Sequence, residues 1–282
     1  MRSDLADFEL VTARTLAEAH ERVAAGYRPI AGGTDVMVML SSGKLAHRRW
    51  VDVWGLGELR FVRVAEDAIE LGALTTYTDV RRHPLLAAEL PMLVQAASET
   101  GGIAIQNRGT LGGNIGNASP AADSPPALLA YGASVVLASR RGERTVPYEA
   151  FHTGYKKTVA EPDEMVVRVV VPRSKAPRVH YYRKVGPRRA QAISKVCFAA
   201  CVERSGARVT GARIALGGVA PVPVRALEAE RAMVAGEPLP AVSAALARAI
   251  APIDDVRSTS AYRRRVADNL LRELQKHVAL AP

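Results

Sequence analysis

Cysteine is almost missing from this chain: 282 residues contain two, Cys197 and Cys201. They fall in a run, residues 193–202, whose β-branched content reads as a buried strand. On a strand they share a face but stand about 13 Å apart, too far for a disulfide or a shared metal. Both therefore read as small core residues. An ordinary iron–sulfur cluster takes four protein ligands, mostly cysteine, so this chain cannot build one. The six histidines, at 20, 47, 83, 152, 180 and 277, lack metal-ligand spacing, and no zinc or other metal site is expected. Uninterrupted apolar runs approaching eighteen residues are absent too, and residues 1–10 already carry Asp4, Asp7 and Glu9. No membrane span or secretory leader is expected, and cytoplasmic residence follows.

What is present is ordinary for a globular protein: 48% hydrophobic and 23% charged residues, on a length that suggests about two domains and excludes disorder. The formal net charge of +10 is unevenly placed, with 17 Lys+Arg against 17 Asp+Glu in residues 1–160 and 21 against 11 beyond. Arg173, Lys175, Arg178, Arg183, Lys184, Arg188, Arg189 and Lys195 follow one another with no acid among them. Such a stretch suits an acidic partner or an anionic ligand, or is simply a solvated loop. Nucleic acid is the least supported reading, because no helix-turn-helix, finger or stacking-sheet pattern accompanies it.

Along the chain, Thr15 followed by Glu18 reads as a capping box opening a helix over 16–25, and residues 28–31 read as a strand entering a glycine turn. Residues 50–53 alternate as a strand, 61–64 with 68–73 as a hairpin, and 91–101 as a helix closed by Gly101-Gly102. Strands are predicted at 134–138, 164–171, 180–185, 193–202 and 207–216, then helices at 225–235, 241–250 and 261–278. Strands followed by helices predict an α+β C-terminal part, with the boundary near 172–177.

Two glycine-rich stretches stand out: Ala31-Gly32-Gly33-Thr34-Asp35, and Gly109-Thr110-Leu111-Gly112-Gly113-Asn114-Ile115-Gly116-Asn117. Glycine lets main-chain N–H groups crowd around an anion, and two such loops could grip a diphosphate from both sides. Neither contains Gly-x-Gly-x-x-Gly or the Gly-Lys-Ser/Thr of a phosphate-transferring loop, which disfavours a Rossmann domain and a P-loop. Taken alone, Gly32-Gly33 could be a plain turn. The second stretch holds more residues tolerant of positive φ than one turn requires.

Ala-Gly-Gly-Thr-Asp, then Gln106-Asn107-Arg108-Gly109-Thr110-Leu111-Gly112-Gly113-Asn114, Ala118-Ser119-Pro120 and Asp123, resemble the FAD-binding subunits of the xanthine dehydrogenase and carbon monoxide dehydrogenase family of molybdenum hydroxylases. Glu164, Arg183-Lys184, Ser194-Lys195 and Ser260-Ala261-Tyr262-Arg263-Arg264 match further landmarks in order. The resemblance implies a vanillyl-alcohol-oxidase-type (PCMH-type) FAD-binding domain over 1–174, made of two α/β subdomains (about 1–56 and 57–174). A C-terminal domain over 175–282 would follow, with a three-stranded antiparallel sheet and a helical bundle. It also implies which residues meet FAD. Arg28, Pro29, Ile30, Ala31, Gly32, Gly33, Thr34 and Asp35 would form one pyrophosphate loop, and Thr110, Leu111, Gly112, Gly113 and Asn114 the other. Asp123 would hydrogen-bond to the cofactor, Thr100, Gly101 and Val166 would line its surroundings, and Lys184 would stand near the flavin end. At Thr100 some relatives carry an aromatic, which places no ring there in this chain. A cation at Lys184 would raise the flavin potential, whereas on the residues alone it reads as a surface lysine.

The function so implied is electron transfer: FAD takes electrons from a separate 2Fe–2S subunit that drains a molybdopterin subunit, and passes them to an external acceptor such as NAD⁺, a quinone or oxygen. A dimer of heterotrimers is the implied assembly, with the basic excess as docking surface. No catalytic nucleophile or base is called for. The alternatives are a stand-alone FAD-dependent oxidase or dehydrogenase acting on a small substrate, and a nucleotide-binding protein with a regulatory role.

Overall fold

The computed structural model describes residues 5–174, 176–188 and 191–280. Its first layer is a parallel sheet built from β1 (Glu9–Thr12), β2 (Arg28–Ile30) and β3 (Arg49–Asp52), in the order β1-β3-β2. Helices α1 (Leu16–Ala24) and α2 (Val36–Ser41) connect these strands, as parallel pairing demands. Thr15 caps α1 by accepting a hydrogen bond from the Glu18 amide at 3.1 Å. Glu18 answers one residue earlier than an ordinary capping box, taking the Arg14 amide at 2.6 Å.

The second layer is an antiparallel sheet of five strands. It comprises β4 (Val62–Val64), β5 (Ala68–Gly72), β6 (Ser134–Ser139), β7 (Gly142–Pro147) and, after a small hairpin of β8 (His152–Gly154) and β9 (Lys157–Thr158), β10 (Met165–Pro172). The order is β4-β5-β10-β6-β7. Between β5 and β6 run α3 (Tyr77–Arg82), α4 (Pro84–Glu89), α5 (Pro91–Glu99), α6 (Ile103–Arg108), α7 (Leu111–Asn117) and α8 (Ser124–Tyr131), and α9 (Tyr148–Phe151) follows β7. The register of β10 against β6 shifts between Val166 and Arg168. That bulge turns Met165 and Val167 toward the first sheet and Val169 and Val171 toward the helices, so both faces of β10 are buried.

The C-terminal sheet is antiparallel, with β11 (Arg178–Val185), β12 (Val196–Ser205) and β13 (Arg208–Gly217) as its long strands. A two-residue β14 (Val224–Arg225) joins β13 as a fourth strand beyond the three expected. Strand β12 packs on both faces: Cys197, Ala199 and Cys201 point into the helices of the second layer. Phe198, Ala200 and Val202 point into α10 (Leu227–Val234), α11 (Leu239–Ala249) and α12 (Ser260–Leu280). The cysteines are thus core residues on one face, and burial pushes both thiols up, Cys201 to about 11.

Candidate functional site

A cavity of about 400 Å³ opens where the first sheet meets the second. One wall is the turn that carries β2 into α2. A Cβ built on Gly32 would sit 1.6 Å from the Arg108 carbonyl oxygen, so only glycine lets this turn close on the start of the second stretch. Gly33 takes φ +75°, a left-handed conformation that side chains disfavour. The backbone N–H groups of Gly32, Gly33 and Thr34 have no partner among the described residues. Three successive free donors around a left-handed residue form a concavity for an anion.

The opposite wall differs. The second glycine stretch folds as the helix α7, where a loop was expected, because Thr110 caps it and accepts from the Gly113 amide at 3.1 Å. The Leu111 amide donates to the Thr75 carbonyl at 3.0 Å and the Gly112 amide to that of Ala73 at 2.9 Å. A Cβ at Gly112 would meet the Ala73 Cβ at 2.6 Å, so this glycine serves close packing on the segment after β5. Gly113 and Gly116 are exposed into the cavity. A Cβ at Gly113 would touch only Thr110 Oγ1, at 2.9 Å, and at Gly116 nothing. The two stretches are therefore unlike: one offers free N–H groups, while the amides of 111–113 are already bonded and their helix offers a wall bare at Gly113 and Gly116 between the side chains of Thr110, Asn114 and Asn117.

Every residue expected at the site lines this cavity except Thr100, Gly101, Leu111, Asp123 and Lys184. Leu111 is fully buried in the core beneath α7. Thr100 ends α5 and donates to the Ala96 carbonyl at 2.7 Å, and Gly101 at φ +59° turns the chain toward α6. Asp123 and Lys184 form a separate buried pair: Lys184 Nζ lies 2.7 Å from Asp123 Oδ2, with side-chain exposures of 4% and 9%. Ser194 Oγ donates to Asp123 Oδ1 at 2.6 Å, and Lys184 also reaches the Glu99 carbonyl at 2.8 Å. Burial raises the Asp123 carboxyl, while Lys184, Ser194 and Thr100 pull it back. The surface-lysine reading of Lys184 is thus wrong, and its cation is one half of a neutral pair. The pair joins the cavity through its neighbour Ser124, whose hydroxyl donates to Asn114 Oδ1 at 2.5 Å.

Lys156, Asn117 and Tyr77 line the cavity and were missed by the sequence reasoning. Tyr155 and Lys156 are the two-residue turn between β8 and β9, and Lys156 sits at φ +57°. Its ammonium donates to Asn117 Oδ1 at 2.6 Å. Partial desolvation raises the Asp35 carboxyl, which Lys156 and Asn117 pull down, and desolvation lowers Lys156 in turn. Arg108 lays its guanidinium 3.8 Å over the Trp54 ring and donates from Nε to the Gly32 carbonyl at 3.4 Å. No signal in the sequence singled out Lys156.

The basic stretch does not present one open cationic face. Arg173 pairs with Glu89, Arg178 with Glu203, Arg183 with Glu273 and Lys184 with Asp123. Lys195 lies 5.0 Å over the Tyr262 ring, and Lys175 and Arg189 fall outside the described residues. No group of three or more His, Cys, Asp or Glu among the described residues is placed to hold a metal ion. No helix among them is long and apolar enough to cross a membrane.

A donor-lined glycine turn facing a bare helical wall, on paired α/β layers with a sheet-and-helix domain behind, defines a dinucleotide-binding protein outside the Rossmann and P-loop classes. Residues 6–174 match the FAD binding domain of molybdopterin dehydrogenases, and residues 180–278 the carbon monoxide dehydrogenase flavoprotein C-terminal domain. The chain belongs to the FAD-binding subunits of the molybdenum hydroxylases, a family of oxidoreductase components. It is 34% identical over 261 residues to the xanthine dehydrogenase FAD-binding subunit of Escherichia coli O157:H7, covering 89% of each chain. It is 30% identical over 279 residues to the glyceraldehyde dehydrogenase medium chain of Sulfolobus acidocaldarius, covering 97% of this chain and 99% of that one. Among solved structures, a carbon monoxide dehydrogenase chain from Hydrogenophaga pseudoflava superposes with a TM-score of 0.92 at 28% identity over 96% of both chains. The cofactor of the family domain is FAD, and the free amides of 32–34 with the cradle at Gly113 and Gly116 fit its diphosphate.

Proposed function

We propose that this chain is the electron-transfer flavoprotein of a molybdenum hydroxylase, taking electrons from iron–sulfur clusters on a partner chain and delivering them to an external acceptor. The observation that carries it is the cavity itself, with three free amides at Gly32, Gly33 and Thr34 facing a helix without side chains at Gly113 and Gly116. Bound FAD supplies the redox chemistry, accepting and releasing electrons singly or in pairs. The chain's residues bind and orient it. In this reading the 28–35 turn donates to the diphosphate, Thr110, Gly112, Gly113 and Asn114 shape the opposite wall, and Val166 on β10 fills the floor. Leu111 and Gly101 set the backbone from beneath. Asp123 and Lys184, with Thr100, hold a fixed polar edge near the flavin end, neutral overall and so without a large pull on the potential.

This reading places the clusters and the molybdopterin on separate partner chains, since the two cysteines of these 282 residues cannot ligate a cluster, and takes a dimer of heterotrimers as the assembly. We divide the chain into an FAD domain, 1–174, and a C-terminal domain, 175–282. Two measurements test the proposal. The purified chain takes up FAD and turns yellow, and a colourless chain that ignores added FAD overturns the reading. Isolation of the native protein brings iron–sulfur and molybdenum chains with it, whereas a single chain that oxidises a small substrate by itself would make it an independent flavoenzyme.

A further inference from the structure

Lys156 is placed as few surface lysines are. It occupies a two-residue hairpin turn at φ +57°, a conformation that usually selects glycine or asparagine. A lysine kept at a left-handed turn position trades backbone comfort for the placement of its side chain. That side chain lines the cavity where α7 ends. Its ammonium donates to Asn117 at the end of α7, and Asp35 at the end of the glycine turn is the carboxylate acting on it.

The other charged groups lining the cavity are Arg28, Asp35 and Glu164. Glu164 is held by the Arg144 guanidinium at 2.6 Å, which leaves Arg28 and Lys156 as the cations facing a dianionic diphosphate, and Asp35 as an opposing carboxylate. Free amides orient a phosphate but bring no full charge, so an ammonium at the cavity wall adds what the glycine turn lacks.

We propose that Lys156 is a binding residue for the diphosphate of FAD, held ready at the cavity wall by Asn117. The inference rests on the FAD reading above. The test measures FAD dissociation constants for the wild-type chain, Lys156→Gly and Lys156→Arg, at low ionic strength and at ~1 M salt, where charges a few ångströms apart are screened. The glycine variant removes the ammonium and relieves the turn, so the melting temperature of its apo form should not fall. Its FAD affinity should drop roughly ten- to a hundredfold at low salt, as for a lost charge-assisted hydrogen bond. The gap should narrow at high salt, and arginine should restore most of the affinity. A glycine variant that binds FAD like the wild type, or is weakened by the same factor at both salt levels, overturns the inference. So does one whose apo form melts earlier while FAD affinity is kept, since the lysine is then a strut. Failure of the wild-type chain to bind FAD would sink the functional reading instead, which keeps the two apart.

Discussion

Removing one half of the Asp123–Lys184 pair offers the sharpest test of how this site is built. Lys184→Met keeps the stem of the side chain and deletes the charge, leaving a carboxylate that is 9% exposed with Ser194 Oγ 2.6 Å away and no counter-ion. Breaking a buried pair in this way costs about 3–5 kcal/mol. Asp123 has one escape, which is to take up a proton. Its carboxyl is already raised by burial, and loss of Lys184, the strongest pull downward, raises it further. Protonating an acid of ordinary pKa, about 3.9, costs about 1.4 kcal/mol per pH unit above that value, so the ceiling is about 4 kcal/mol at pH 7 and about 1.5 at pH 5. The sign follows: with the folded pKa above the unfolded one, the variant's deficit is complete above the folded pKa and shrinks as pH falls through it toward the unfolded value of about 3.9. Urea denaturation of the apo chain at both pH values reads this directly. We expect a deficit of about 3–4 kcal/mol at pH 7, roughly half that at pH 5, and substantial recovery when Asp123→Asn is added. A deficit below ~1 kcal/mol at pH 7, or one that is identical at the two pH values, refutes the buried-pair reading.

Glycines 32 and 113 should behave oppositely. Gly32→Ala places a Cβ 1.6 Å from the Arg108 carbonyl oxygen, which forces the walls apart at a cost of about 1–3 kcal/mol and lowers FAD uptake with apo stability. Gly113→Val meets only Thr110 Oγ1, the cap of α7, at 2.9 Å, so apo stability should fall by no more than the worth of a cap, about 0.5–2 kcal/mol, while FAD affinity falls at least about tenfold. Full flavin content in that variant would remove α7 from the site. Burial lowers His152 and His180 to about 4, the latter with help from Arg178. Their folded pKa values lie below the unfolded value of about 6.5. Stability from these two is complete above that value and declines as pH falls toward 4, by ~1 kcal/mol each after discounting for partial exposure. Urea midpoints between pH 7 and 4.5 measure it, and an unchanged slope in the His152→Gln/His180→Gln double variant argues against these two histidines.

Much of the fold was legible because its strands and long helices carry clear periodicity. The hairpin at 62–72, the strands around Cys197 and the three C-terminal helices lie where pattern and caps put them. Helix α8 was not legible: Ser124–Tyr131 is buried all round, so it carries no amphipathic stripe, and two prolines at its start read as a break. Nor was α7, since three glycines in seven residues argue against a helix unless the Thr110 cap and the Ala73 and Thr75 carbonyls are known to hold it. The glycine stretches marked the cavity correctly, but their division into donor turn and bare wall depends on which amides already have partners. That is settled by the Ala73 and Thr75 carbonyls just after β5, distant in sequence. Lys156 was invisible for a similar reason, because nothing in Tyr155-Lys156-Lys157 says which lysine turns inward.

The placement of Lys184 also explains why the cavity and the C-terminal sheet belong to one chain. The walls come entirely from residues before 167, yet the lysine that neutralises Asp123 lies on β11. A second clasp acts on the same segment: Arg263 on α12, itself paired with Asp255 at 2.6 Å, donates to the Gly218 carbonyl at 2.8 Å. The Gly218 amide in turn donates to the Pro120 carbonyl at 2.7 Å, three residues before Asp123. Gly218 must be glycine for this, at φ +76° with the Lys195 carbonyl oxygen 2.7 Å from where a Cβ would stand. Asp123 therefore gains its counter-ion and its backbone position from the C-terminal elements. The pair is therefore shared between the two parts of the chain, and deleting either partner within the intact fold leaves a buried charge unpaired, at a cost of about 3–5 kcal/mol, a large share of a domain's net stability.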